Sequence, residues 1–364
     1  MRGFFSKNVS RGVPLFEYTV AVLLLAALPL TGMAQAGSEP AAKSTLQSSA
    51  QSSPPPSAES KPAGPQQAAP QDSAKTDSAP ESGDVPRIRV GINEVNVVFT
   101  VTDKHGKRVT DLKQNDFRIV DDSKPAVEIR SFRAEANLPL QVALLIDASN
   151  SVRDRFKFEQ ESAIEFLNQT VRRGYDQAMV VGFDATPEVT QDFTDDTQKL
   201  GHGVRELRPG GGTALYDALY YACRDKLLKK PQAGPTRRAV ILLSDGEDNL
   251  SHVTREEAIE MAQRADVIVY TISTNVTGTH GPGDKVLERI ADATGGRAFF
   301  PFQIRDVANA FAEIQDELRS QYAVSYKPAD FKADGHFRTI EIVANDRKTF
   351  RVRARRGYFA PTAQ

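Results

Sequence analysis

Residues 138–151 read Leu-Pro-Leu-Gln-Val-Ala-Leu-Leu-Ile-Asp-Ala-Ser-Asn-Ser, and the fold turns on this stretch. From Gln141 to Ile146 the run is apolar, as a parallel strand buried on both faces requires. It stops at Asp147, and hydroxyls follow at alternate positions, Ser149 and Ser151. In an open α/β sheet the loops at the carboxyl ends of the strands form the ligand crevice. One carboxylate and two hydroxyls on such a loop can turn toward one point. Their oxygens suit a hard divalent cation such as magnesium. Asp and Ser are also ordinary turn formers, so the stretch by itself leaves a plain turn open.

Downstream of this strand the pattern alternates between strand and helix. Residues 156–171 have helical periodicity, with Phe158, Ile164, Phe166 and Leu167 available for burial. Strands are expected at 178–183 and, as a polar edge strand, at 188–193, followed by a helix at 197–207. Pro209-Gly210-Gly211-Gly212-Thr213 then leads into a helix from Ala214 to about Leu228. A strand at 239–243 runs into Ser244-Asp245-Gly246-Glu247-Asp248-Asn249. Thr254 and Glu257 have capping-box spacing at the head of the next helix. Further strands at 267–272 and 298–300, a helix at 284–293 and a last helix to about Arg319 complete the alternation. Such repetition predicts an α/β fold, a Rossmann-like, doubly wound and mostly parallel sheet spanning 138–320.

Both flanks have period two. Val95, Val97, Phe99 and Val101 alternate with Asn96, Val98, Thr100 and Thr102, and strands are also expected at 117–120 and 127–132. After Gln321, alternation returns at 322–326, 337–343 and 350–354. Segments 86–137 and 321–364 are therefore expected to pair into one small β-strand accessory module, since either is too short for a good core. Arg351, Arg353 and Arg355 share one face of the last strand and are expected to be solvated, not a polyanion site.

Residues 1–36 read as an export signal: Arg2, Lys7 and Arg11, an apolar run from Val20 to Leu30, then Ala34-Gln35-Ala36. That run is shorter than the ~20 residues of a membrane span, so cleavage is expected over retention as an anchor. Residues 37–85 are rich in Ser, Ala, Pro and Gln and are expected to form a disordered linker.

The 364 residues carry a formal net charge of −1, which supplies no global field toward nucleic acid. The single Cys223 excludes an internal disulfide and is expected to pack as a small apolar side chain. The glycine run before Thr213 lacks the Lys and Ser/Thr ending of a nucleotide-binding P-loop. No Gly-x-Ser-x-Gly occurs, and His105, His202, His252, His280 and His336 have no metal-ligand spacing. No catalytic constellation emerges.

The Asp-x-Ser-x-Ser spacing at Asp147, Ser149 and Ser151 resembles the metal-ion-dependent adhesion site of von Willebrand factor A domains. Two further stretches, Gly211-Gly212-Thr213-Ala214-Leu215 and Leu243-Ser244-Asp245-Gly246, resemble its second and third loops in order and setting. The resemblance implies a metal set of Asp147, Ser149, Ser151, Thr213 and Asp245, with Asp245 acting through a water. It implies a divalent cation, magnesium foremost with calcium or manganese as alternatives. A protein partner's Asp or Glu would complete the coordination. Asn150, Gly212, Asp217, Glu247 and Asp248 are the expected partner-binding rim, with Asp217 also orienting the Thr213 loop. The export signal, Val101-Thr102-Asp103-Lys104-His105-Gly106-Lys107-Arg108-Val109 and the terminal Arg355-Arg356-Gly357-Tyr358-Phe359 resemble a bacterial family of such proteins common among acidobacteria. The expectation is a non-enzymatic protein of the periplasm, cell surface or exterior; the alternative is an envelope module whose metal only stabilises loops.

Overall fold

At the centre lies the strand Leu140–Asp147, all eight of whose residues are buried. The computed structural model describes residues 94–362 apart from 136, 232–233, 276 and 347–348. The export signal at 1–36 and the linker at 37–85 lie outside the described residues. In chain order the strands are β1 Val95–Asp103, β2 Phe117–Asp121, β3 Lys124–Pro125, β4 Glu128–Glu135, β5 Leu140–Asp147, β6 Gln177–Phe183 and β7 Pro187–Thr194. They continue as β8 Arg237–Ser244, β9 Val267–Ser273, β10 Ala298–Phe299, β11 Gln321–Lys327, β12 Phe337–Ala344, β13 Phe350–Ala354 and β14 Gly357–Phe359. The helices are α1 Phe156–Thr170, α2 Thr197–Glu206, α3 Leu215–Tyr221, α4 Arg255–Arg264, α5 Pro282–Thr294 and α6 Ile304–Leu318. None of them is long and apolar enough to cross a membrane.

The central sheet has the order β10-β9-β8-β5-β6-β7. All its pairs are parallel except β6 with β7, the polar edge strand. Side chains of a strand alternate between faces. Accordingly Leu140, Val142, Leu144 and Ile146 pack with α1, α2 and α6, whereas Ala143 and Leu145 pack with α3, α4 and α5. Each fully buried Leu or Ile of this strand contributes about 1.5–3 kcal/mol relative to exposure. From β5 the chain winds outward to β6 and β7, then returns to place β8 on the other side of β5. This reversal is a topological switch point, where loops diverge and leave a crevice. The register sets Asp147 level with Phe183, and Ile146 level with Leu243, so the ends of β5, β6 and β8 align there.

One helix departs from expectation. The segment after Thr213 is α-helical only to Tyr221, and Ala222–Leu227 is a π-helix. The Leu228 N–H reaches back to the Cys223 carbonyl at 2.9 Å. The wider turn accommodates one extra residue while Ala222, Cys223 and Leu227 stay buried.

The flanks interleave. One four-stranded sheet has the order β13-β1-β11-β4 and the other β14-β12-β2-β3. They share a core that includes Val97, Phe99, Phe117 and Ile119 from one flank and Tyr322, Val324, Tyr326 and Ile340 from the other. Phe99 meets Phe117 edge-on at 5.2 Å between centroids and stacks on Tyr322 at 5.4 Å. Both ladder partners of β1 come from the carboxyl-terminal flank. A peptide of residues 94–137 is therefore expected to be unfolded, with the narrow amide dispersion of a coil in its NMR spectrum. A well-dispersed spectrum would show that this flank needs none of its cross-flank partners.

The arginines of β13 and the turn after it correct the expectation of a solvated face. Arg353 donates to both oxygens of the buried Glu317 at the end of α6, at 3.2 and 3.0 Å. Arg355 reaches Asp266 at 2.7 Å and the Asn96 carbonyl at 2.7 Å. Only Arg351 of the three is exposed. The other two fasten the β-strands to the helical layer.

Candidate metal centre

At the carboxyl end of β5 the Asp147 side chain is completely buried. Its Oδ1 accepts the Ser149 N–H at 2.9 Å, and its Oδ2 accepts the Ser244 hydroxyl at 2.6 Å. Ser149 Oγ and Ser151 Oγ lie 2.9 Å apart, the first buried and the second exposed. The alternate hydroxyls thus turn toward each other on one side of the loop.

The glycine loop is tied to this first loop by the backbone. Gly210 N–H donates to the Ala148 carbonyl at 2.7 Å, and Asn150 Nδ2 to the Gly211 carbonyl at 3.1 Å. Gly211 has φ +67°, and a Cβ there would stand 2.9 Å from Asp184 Oδ2. Only glycine meets both demands without strain. Thr213, 4% exposed, donates its N–H to Asn249 Oδ1 at 2.9 Å. Its carbonyl accepts the Asn249 and Leu250 N–H groups, each at 3.0 Å.

Asp245 follows β8 directly and is half-buried, with Oδ1 accepting the Glu247 N–H at 3.1 Å. Behind it Gly246 has φ +81°, and a Cβ there would lie 2.2 Å from the Gly283 carbonyl oxygen. The Asp245 loop therefore rests on the first turn of α5. That turn is secured by the buried Asp284, which accepts from Ser273 at 2.5 Å, the Gly281 N–H at 2.7 Å and Asn275 at 2.8 Å.

The expected rim residues divide by what their side chains already hold. Asp217 accepts the His252 and Val253 N–H groups and contacts His252 Nδ1, each at 2.9 Å. It thus braces the 252–253 segment; the Thr213 loop is pinned by Asn249 and Asn150 instead. Asp248 accepts the Tyr216 N–H at 3.0 Å and the Ser251 hydroxyl at 2.5 Å, securing the start of α3. Gly212 packs where a Cβ would collide with Leu250 and Asn249. Asn150, Glu247 and the apolar Leu250 remain exposed.

Burial pushes the Asp147 carboxyl up to about 6; hydrogen bonds from Ser244 and Ser149 oppose the shift and the charge of Asp245 adds to it. Three residues near these loops escaped the sequence reading. Ser244 was passed over because its role depends on a strand 97 residues away. Glu159 on α1 is 2% exposed, and burial pushes its carboxyl up to about 8 despite Arg155; the charges of Asp147 and Asp245 raise it further. Arg155 lies 3.9 Å from Glu159 and also feels the charge of Asp245. A signal existed for Glu159: it falls in phase with Phe156, Ala163 and Phe166 on the buried stripe of α1.

The donor set bears on what could be held. Among the described residues no group of three or more His, Cys, Asp or Glu side chains is placed to hold a metal ion. The expected ligands, two carboxylates and three hydroxyls, lie on loops joined to one another by hydrogen bonds, and an all-oxygen set of this kind would suit a hard cation. The raised Asp147 carboxyl marks a buried acid short of compensating positive charge, and a cation fits that deficit.

The von Willebrand factor type A domain family matches residues 142–247, which run from within β5 through the glycine loop to Glu247, just past Asp245. The chain carries a von Willebrand factor type A domain. Solved structures similar in fold include proximal thread matrix protein 1 from the mussel byssus, 18% identical with a TM-score of 0.44. The match covers 54% of this chain and 49% of the mussel protein, about half its length. A form of that protein with a zinc-occupied MIDAS motif is 17% identical, over 54% and 49% of the two chains, with a TM-score of 0.43. A von Willebrand factor type A protein from Catenulispora acidiphila is 16% identical over 69% of this chain and 75% of that one, with a TM-score of 0.42. Comparison with curated proteins gave no match. Elsewhere in the type A domain Cys223 is fully buried and burial pushes its thiol up, as suits a packing role. All five histidines are exposed, His202 on α2 and the others outside helices and strands.

Proposed function

We propose that this chain is an exported, non-enzymatic binding module. In this reading Asp147, Ser149, Ser151, Thr213 and Asp245 hold a divalent cation, magnesium foremost, and a protein partner is recognised through it. Residues 138–320 form the binding domain, 86–137 and 321–364 its β-strand accessory module, and 37–85 a tether after the signal. One observation carries the reading: three loops bearing these oxygens meet at the switch point between β5 and β8. Asp147 and Asp245 supply the charge, and the hydroxyls supply neutral oxygens. The ion would provide an electrophilic centre for a carboxylate of the partner. Exposed Asn150, Glu247 and Leu250 border the place where that partner would sit.

The alternative, a metal that only stabilises loops, is less well supported. The loops are already joined by Gly210 to Ala148, Asn150 to Gly211, and Thr213 to Asn249 and Leu250. An ion is not needed to hold them together.

Thr213→Ala separates the two roles. For partner recognition, it should weaken partner binding far more than magnesium binding, because Thr213 is a neutral ligand and Asp147 carries the charge. A ligand shifts such an equilibrium only through different affinities for its states. Partners retained by the full chain in magnesium and released by chelator supply the second component. Replacing the partner's acid by an amide should then leave wild type and Thr213→Ala almost equally weak. A coupling near zero in this double-mutant cycle at saturating magnesium rejects metal-bridged recognition.

A further inference from the structure

A third carboxylate lies close to the same loops. Glu159 sits in the first turn of α1 and is 2% exposed. Its Oε1 is 3.9 Å from Arg155 Nε, beyond hydrogen-bond distance, and its Oε2 has no hydrogen-bond partner among the described residues. The charges of both Asp147 and Asp245 reach it, and Arg155 is itself drawn by Asp245. Three carboxylates and one guanidinium thus share this region, leaving two negative charges in excess when all are ionised.

Buried polar atoms are rarely left without a partner, so the unpaired Oε2 calls for an explanation. Glu159 occupies a position on the buried stripe of α1 that a Leu would fill without this penalty. Among the described residues no donor reaches Oε2, and solvent or an ion would supply a partner. The described acids are not grouped closely enough for three of them to bind one ion directly. Glu159 must therefore act at one remove.

We propose that Glu159 is a positioning residue of the metal centre, with Oε2 accepting a hydrogen bond from a water on the divalent cation and Arg155 trimming the local charge. The inference rests on the metal reading of Asp147 and Asp245 given above. A dication offsets the two excess charges of these four groups. Groups that hold metal-bound ligands in this way commonly change affinity 10- to 100-fold when removed.

The sign of the effect distinguishes this role from ordinary packing. Without an ion, Glu159 is a buried acid whose desolvation opposes folding; with the ion, its ionised form assists binding. Glu159→Gln in the full chain should therefore raise the melting temperature in chelator and weaken magnesium binding at least about tenfold in calorimetry. Arg155→Met should do the reverse, tightening magnesium and lowering the melting temperature in chelator, and serves if Glu159→Gln fails to fold. Unchanged magnesium affinity in the Glu159 variant, or equal stability loss with and without magnesium, overturns the role assigned to Glu159. Weaker magnesium binding in the Arg155 variant overturns it as well. A wild-type chain that binds no magnesium overturns the metal reading itself, and this inference with it.

Discussion

Asp147→Asn is expected to abolish magnesium binding, so that the calorimetric signal of the wild-type chain disappears. The substitution keeps the shape of a fully buried side chain and lets Ser244 and the Ser149 N–H keep hydrogen-bond partners. The negative charge is lost, and the oxygen that accepted the Ser244 hydroxyl becomes an NH2 that donates to it instead. Sites of low charge are weak, and wild-type affinity around 10⁻⁴–10⁻³ M is a guide taken from extracellular calcium modules. The metal-free fold should survive, and the pH dependence of its stability shows why. The Asp147 carboxyl rises from 3.8 to about 6 in the folded chain, so the folded state binds a proton that the unfolded state has released. Stability without metal therefore falls as pH rises from about 4 through 6, and this penalty remains above it. The Asn variant should lack that contribution and be at least as stable as wild type in chelator at pH 7. In the wild type, magnesium must displace the same proton, so its affinity should decline below about pH 6. Unchanged magnesium affinity in Asp147→Asn would sink the site assignment.

Asp176→Ala is expected to cost about 3–5 kcal/mol, the usual loss when one member of a buried charge group is removed. Asp176, 1% exposed, ties the start of β5 to the residue that follows α6. It accepts the Leu140 N–H at 2.9 Å, Arg172 Nε at 2.8 Å and Arg319 Nη2 at 2.6 Å. Burial acts to raise its carboxyl, but hydrogen bonds from Arg172, Arg319 and the backbone outweigh it and hold it below the ordinary range. Alanine would leave two guanidinium groups and the first N–H of β5 without this acceptor. The loss should appear as a lower urea midpoint at unchanged slope. A shift below about 1 kcal/mol would mean that water or neighbouring carbonyls replace the carboxylate.

The alternation of strand and helix, the buried β5 and the polar edge β7 were all legible because each follows from a local period. The Thr254–Glu257 capping box was equally local, and both reciprocal bonds form. Helix α3 was legible only in part, since its passage into a π-turn depends on what its inner face meets in the core. The arginines of the last strands were misread for a related reason. Their two-residue spacing says which face they share, but not that Glu317 is buried opposite Arg353.

For the candidate site the division is similar. That Asp147 ends a buried strand, that hydroxyls follow at alternate positions, and that Asp245 directly follows another strand are properties of short stretches. Neighbouring residues alone set these features. Tertiary structure decided which acids are already committed: Asp217 to the backbone at 252–253, Asp248 to the start of α3, Asp147 to Ser244. It also decided that Glu159 is buried near the loops with an oxygen left over. The physical reason is range. Periodicity and turn chemistry act over a few neighbouring residues, whereas the pairing of a buried charge depends on groups that meet only when distant segments pack.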